Sequence, residues 1–222
     1  MRFINHGTMN CELLGKLCFV AVLFMSPFAL SAQFQLSVVD DKGNPLKDAV
    51  AALVPAQKMD YAAAPAAIMD QRQNMFVPGV LAIRVNTQVR FPNSDDVRHH
   101  VYSFSPAKKF ELRLYHGMTA EPVLFDKPGT VVLGCNIHDS MVAYIYVVET
   151  EYFAVADAMG KINLVAPAGK YQLQIYHPQM SDNFPESAIT LDDSQSLNSK
   201  VTVNNLSATN ISETTDEFSN LF

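Results

Sequence analysis

Cysteine is scarce in this 222-residue chain, and two of its three cysteines lie within the first 18 residues. Past residue 32 the chain keeps Cys135 alone, which excludes an internal disulfide framework there. Basic residues are also too few to mark a nucleic-acid binder, since 16 Lys and Arg stand against 22 Asp and Glu for a formal charge of −6. No apolar run is long enough to cross a bilayer. The longest, Leu17 to Leu30, covers 14 residues and is interrupted by Pro27, short of the roughly 20 that a spanning helix needs. Helical periodicity is nearly absent, which argues against a bundle.

What is present begins with an export signal. Arg2 and Lys16 flank the apolar stretch, and the small residues Ser31 and Ala32 follow it, so residues 1–32 are expected to be a signal peptide cut near Ala32-Gln33. The alternative, an uncleaved anchor, runs against the length of the stretch. Neither Cys11 nor Cys18 follows a lipid-attachment pattern. The expectation is a periplasmic protein with no membrane span once the signal is removed. In such an oxidising compartment a lone thiol is a liability unless something occupies it, and a metal is a common occupant. The plainer alternative is a buried cysteine acting as a small hydrophobe.

Short runs rich in Val, Tyr, Phe and Ile recur between turn residues, the pattern of an all-β sandwich or barrel. The runs expected as strands are Phe34 to Val38, Ala49 to Val54, Val80 to Phe91, His100 to Phe104, Phe110 to Tyr115, Val123 to Phe125, Thr130 to Cys135, Val142 to Val148, Phe153 to Ala156, Ile162 to Val165 and Tyr171 to Tyr176. Ala62 to Ala67 reads as a linker or a short helical turn. From about Asn204 the chain turns to Ser, Thr, Asn and acids, the composition of a flexible acidic tail over 205–222. Arg84, Arg90, Arg98, Lys108, Lys109 and Arg113 gather on the other side of the charge balance, around His99. A solvated face is the simpler account of both charge groupings.

The residues that carry chemistry lie in Cys135-Asn-Ile-His138-Asp-Ser-Met141. Val131, Leu133 and Cys135 share one face of a strand, so the thiol arrives from the core side. The next strand starts at Val142, and the loop between is short enough to fold three donor atoms around one point. Thiolate and imidazole leave copper and zinc open, whereas the thioether of Met141 favours copper. Zinc would be expected to recruit a second cysteine or a carboxylate. Asp139 is the only carboxylate nearby, between two donors. A fourth ligand is offered by His99 or His100. His116 and His177 each sit beside a turn signal and read as solvated strand-end imidazoles.

The run Phe91-Pro-Asn-Ser-Asp-Asp-Val-Arg-His99-His-Val-Tyr-Ser103, followed by Pro128-Gly-Thr-Val-Val-Leu-Gly-Cys135-Asn-Ile-His138-Asp-Ser-Met141, resembles the cupredoxin pattern. In it an asparagine–aspartate turn leads to a first histidine, and cysteine, histidine and methionine come late. The loop spacing is similar to that of amicyanin, and Met69 to Val148 resembles bacterial exported proteins labelled methylamine-utilisation-like. The resemblance implies a type 1 blue copper site with His99, Cys135, His138 and Met141 as ligands and one copper per chain. One departure is His100, where cupredoxins usually carry asparagine. Strand phase leaves His100 open as the alternative to His99, because Tyr102 and Phe104 would share its face. The flanks, Asp40 to Val50 with Ala156 to Leu164 and Ala168 to Ile175, resemble a carboxypeptidase-regulatory-like (transthyretin-like) sandwich.

These readings imply an all-β chain. A Greek-key cupredoxin sandwich over 66–149 is inserted in or packed against a discontinuous sandwich of 33–58 and 150–204. The expected function is single-electron transfer in the periplasm with a redox partner protein, a cytochrome, dehydrogenase or oxidase. The alternatives are a periplasmic copper storage or delivery protein, and a binding or adhesion module with a structural copper site. No catalytic residues are assigned and no enzyme activity is expected, because only His116 and His177 remain to build a second, catalytic copper.

Overall fold

The computed structural model describes residues 31–118, 121–180, 186–192, 197–204 and 206–207. The expected signal peptide, but for its last two residues, and most of the expected tail lie outside these. Among the described residues every regular element is a strand, and there are 17.

The chain opens with β1 (Ser31–Asp40) and β2 (Val50–Pro55). It then builds β3 (Ala67–Ile68), β4 (Asp70–Arg72), β5 (Met75–Val77), β6 (Val80–Arg84), β7 (Thr87–Arg90), β8 (His99–Ser103), β9 (Phe110–Tyr115), β10 (Val123–Phe125), β11 (Gly129–Gly134) and β12 (Val142–Val148). Finally β13 (Phe153–Val155), β14 (Lys161–Pro167), β15 (Gly169–Tyr176), β16 (Ser187–Leu191) and β17 (Leu197–Val203) return to the first two strands. Two sheets, ordered β14-β1-β17 and β13-β2-β15-β16, use only the first and last stretches of chain. The middle stretch forms the five-stranded sheet β6-β12-β11-β8-β9, the three-stranded β10-β7-β3 and the hairpin β4-β5.

Each strand group has its own core. In β1 every second residue is apolar, so Ala32, Phe34, Leu36 and Val38 are buried together, with Ile162 and Leu164 of the neighbouring β14 beside them and Leu53, Leu173 and Ile175 contributed by the other sheet. A tight turn closes this group: Gly160 has φ +67°, and a Cβ there would lie 2.4 Å from the Val38 carbonyl oxygen. Only glycine fits such an approach. The middle group packs Met69, Phe91, Val101, Phe125, Val131, Leu133 and Ile145 around Cys135 and Met141. Val50, Val80 and Tyr146 join the two groups, and the Tyr146 and Tyr176 rings lie 5.1 Å apart at that seam. The second sandwich therefore covers the outer face of β6 and β12.

Several expectations are corrected. The single run Val80 to Phe91 is two strands, because Asn86 adopts φ +69° and the chain steps from one sheet to the other. Asparagine tolerates this left-handed conformation. The hairpin β4-β5 departs from the expectation, which places no strand there: its strands have three residues each, one strand polar and the other apolar with no alternation in either, and its turn at Gln73 and Asn74 takes two left-handed residues, as a two-residue hairpin loop requires. Strands β16 and β17 and the pairing of Leu206 with Met180 also went unread. His177 is not a solvated imidazole. It is buried, its Nε2–H donates to the Lys47 carbonyl at 3.1 Å, and its Nδ1 accepts from the Gln179 amide at 3.3 Å. Burial therefore holds its pKa below the usual histidine value. His116 is exposed.

The six basic residues do not form one field. Arg84 pairs with Glu151 at 3.8 Å, covers the Tyr61 ring at 5.0 Å and donates to the Ala62 carbonyl. It thereby holds the Ala62 to Ala67 segment, which is not helical. Lys108 pairs with Asp126 at 3.1 Å, and Arg113 lies 4.0 Å from Glu111.

Candidate metal centre

The start of β8, the end of β11 and the start of β12 lie at one end of the five-stranded sheet, since Gly134 pairs with both Tyr102 and Val142. The loop carrying Cys135, His138 and Met141 closes that end. Within it the Met141 amide donates to the His138 carbonyl at 2.9 Å, a single turn that returns the chain to β12. Val131, Leu133 and Cys135 all face the core, with exposures of 0, 1 and 3%.

Strand β8 separates the two adjacent histidines. His99, Val101 and Ser103 point inward and are fully or nearly fully buried, whereas Phe104 on the opposite phase is 77% exposed. His100 follows that outer phase. Its ring lies 5.5 Å from Tyr102, and its Nε2 is 2.9 Å from the Glu111 carboxylate. The hydrogen bond to His100 is the main cause that lowers the pKa of Glu111. His99 instead meets His138, with ring centroids 4.9 Å apart at 61°.

One donor atom from each of His99, Cys135 and His138 lies within 4.8 Å of the others. This suits a shared ion bonded at about 2.0 Å to nitrogen and about 2.3 Å to sulfur. The Nδ1 atoms of His99 and His138 are both buried without a hydrogen-bond partner, an arrangement that normally costs about 1–3 kcal/mol per atom. Such atoms, converging on a buried thiol, fit a metal ion. Met141 is 1% exposed and lies in the same core cluster as Cys135. Asp139 is exposed and takes no part in the cluster. His138 is half-buried, between Ile137 and Val142, which are 47 and 41% exposed.

The chain ahead of His99 is built to hold it. Asn93 is buried and uses its whole amide: Nδ2 donates to the Val97 and Tyr115 carbonyls, each at 2.8 Å, and Oδ1 accepts from the Asp95 amide at 3.0 Å. Asp95 accepts from His99 Nε2 at 2.7 Å and from the amides of Gln73 and Asn74 at 2.5 and 3.0 Å. Partial burial would raise the Asp95 pKa, but the bonds from Asn74, His99 and Gln73 outweigh it and hold the carboxyl below its ordinary value. An ionised carboxylate only accepts, so Nε2 of His99 carries the proton and Nδ1 keeps its lone pair. Tyr115 accepts from Gln71 Nε2 at 2.5 Å and donates to the Phe91 carbonyl at 2.6 Å. Burial, with the charges of Asp70 and Cys135, pushes its pKa up to about 12 despite the Gln71 bond. Asp95, Tyr115, Gln71 and Glu111 were not singled out in the sequence. Asp95 stands four residues before His99, but Asp96 beside it carries the same local signal.

No protein-family model matches the chain, and no curated protein does. Among solved structures, the chain is similar to a Cu-containing nitrite reductase from Thermus scotoductus at 28% identity, over 43% of this chain and 25% of that one, with a TM-score of 0.37. It is also similar to a purple cupredoxin from Nitrosopumilus maritimus, at 22% identity over 38% of this chain and 100% of that one, with a TM-score of 0.33. A mutant of amicyanin matches at 19% identity over 44% and 98% of the respective chains, with a TM-score of 0.34. The chain thus spans about a quarter of the nitrite reductase and nearly the whole of the two small copper proteins.

Proposed function

We propose that this protein is an exported type 1 copper protein that carries single electrons between partners in the periplasm. The carrying observation is the convergence of two buried, partnerless imidazole nitrogens on a lone buried thiol. In this reading His99, Cys135 and His138 would hold one copper ion, and Met141 would add a weak thioether donor. His100 faces Glu111 and does not take part. Bound copper supplies a one-electron couple.

The chain's own residues do the rest. Inward-facing β8 and the short loop fix three donors before metal arrives, so a change of oxidation state requires little rearrangement. Phe91, Phe125 and Leu133 keep bulk water from the thiol side. His138, at the rim between Ile137 and Val142, is the donor nearest a docked redox partner, a cytochrome, dehydrogenase or oxidase. Burial of His99, Cys135 and Met141 favours a resident ion over an exchanged cargo. The middle strand group, 66–149, acts as the copper domain, and 33–58 with 150–204 as a carboxypeptidase-regulatory-like sandwich packed on its outer face.

Adding Cu(II) to the protein lacking residues 1–32 is expected to give an intense blue thiolate-to-copper absorption. Cys135→Ser is expected to abolish it. A colourless wild-type protein overturns the reading.

A further inference from the structure

The imidazole of His99 is held from behind by a polar clamp. Asp95 lies at a crossing point of three segments: its own loop, the β4-β5 hairpin turn and the start of β8. Both its carboxylate oxygens are used. Oδ1 accepts the Gln73 amide at 2.5 Å, while Oδ2 accepts the Asn74 amide at 3.0 Å and His99 Nε2 at 2.7 Å. Its own amide is fixed by Asn93 Oδ1 at 3.0 Å. The turn residues that present the two amides sit at φ +53° and +55°, the left-handed pair that a two-residue hairpin loop requires. The hairpin takes up that conformation where it delivers two donors to one side chain.

The His99 ring is fully buried, so the charge on Asp95 acts on it with little screening by water. The other imidazole of the cluster is held differently. No protein partner for either ring nitrogen of His138 stands among the described hydrogen bonds, and its Nδ1 is buried without one. The two imidazoles are therefore electrostatically unequal.

We infer that Asp95 is a positioning residue: through His99 it makes that imidazole the stronger and more rigid donor, and it biases the centre toward the more highly charged Cu(II). The inference rests on the copper reading above. A carboxylate on the far nitrogen fixes tautomer and ring orientation and raises donor basicity, and losing such a partner typically costs 10- to 100-fold in metal affinity. A basic donor backed by negative charge stabilises the divalent ion more than the monovalent one, so removing the charge weakens Cu(II) binding more than Cu(I) binding. The potential of the couple then rises, by about 59 mV for each tenfold change in the affinity ratio.

The test uses the protein lacking residues 1–32, with wild type, Asp95→Asn and Asp126→Asn compared. Asp126 is an exposed carboxylate paired with Lys108 and serves as the charge control. Affinities for Cu(II) and for Cu(I) are measured by competition with chelators, the potential by redox titration, and the His99 tautomer in the copper-free protein by nitrogen NMR. Asp95→Asn is expected to lose at least tenfold in Cu(II) affinity, to lose less for Cu(I) and to show a raised potential, with Asp126→Asn unchanged. Blue wild type together with an Asp95→Asn variant of unchanged potential and unchanged affinity ratio overturns the role of Asp95. Equal losses for both ions would reduce Asp95 to a structural brace and overturn it too. Should Asp95→Asn fail to fold, copper-free wild type decides: Nε2–H on His99 supports the clamp, and Nδ1–H refutes it. A wild type that binds no copper overturns the parent reading instead.

Discussion

The two strand groups bury different chemistry. The group made by the first and last stretches of chain fills its core with Phe34, Leu36, Leu53, Ile162, Leu164, Leu173 and Ile175, and His177 is the buried imidazole at its margin. The middle group buries Asp70, Gln71, Thr87, Asn93, His99, His100 and Ser103 besides its apolar side chains, and its only thiol. Buried polar atoms that are satisfied add specificity more than stability, and those left unpaired cost free energy. The apolar group therefore contributes stability, whereas the middle group gives up part of its stability to aim donors at one point. That division explains why the middle group has a covered outer face at β6 and β12: the second sandwich supplies apolar contact there without occupying the metal end.

The contrast can be broken most sharply from its apolar side. Phe34→Ala is expected to lower stability by about 3–5 kcal/mol, the cost of emptying a packed aromatic site. Its copper-loaded spectrum is expected to match wild type under conditions where the protein stays folded. A urea melt and a visible spectrum on the same sample check this, and loss of the blue band in folded protein would show the groups to be functionally inseparable.

A smaller effect of opposite character is expected from Asn93→Ala. It strips donors from the Val97 and Tyr115 carbonyls and an acceptor from the Asp95 amide, at about 1–3 kcal/mol. Copper affinity should fall although no ligand is changed. Retained affinity would mean that the loop ahead of His99 keeps its shape without the asparagine.

The smallest effect is a pH dependence confined to the first group. Burial depresses the His177 pKa below its unfolded value of 6.5, so the unfolded chain binds more protons than the folded one wherever the two differ. Stability from this source is complete above about 6.5 and falls as pH drops through that value toward the folded pKa. His177→Gln should flatten the change in urea midpoint between pH 7.5 and 5. A wild-type midpoint that does not fall over that interval would remove His177 from the account.

Much of the architecture was legible because burial writes itself into alternation. The strands β1, β9, β10, β12 and β15 follow apolar or aromatic runs, and the inward phase of Val131, Leu133 and Cys135 follows from the period of two. Where the sequence failed, another interaction governed. The hairpin β4-β5 shows no alternation to read, because a wholly polar strand of three residues meets a wholly apolar one, and its turn is fixed by backbone amides meeting Asp95. The break at Asn86 depends on one residue's tolerance of positive φ, and β16 and β17 fully bury only one residue each, Leu191 and Val203. His177 looked like a solvated turn residue because the carbonyl that buries it belongs to Lys47, 130 positions away.

By itself the sequence determined that the chain is made of strands, that one thiol remains past residue 32, and that imidazole and thioether stand three and six residues after it. Local spacing suffices for that, since six residues of loop cannot separate their donors widely. It did not determine which of two adjacent histidines turns inward, nor what holds that ring from behind. Neighbouring strand residues point to opposite faces, and only packing of the five-stranded sheet against Val89, Phe91 and Phe125 decides which face is the core. The clamp on His99 joins residues 73, 74 and 95, which are far apart along the chain and are brought together only when the hairpin turn closes over the loop.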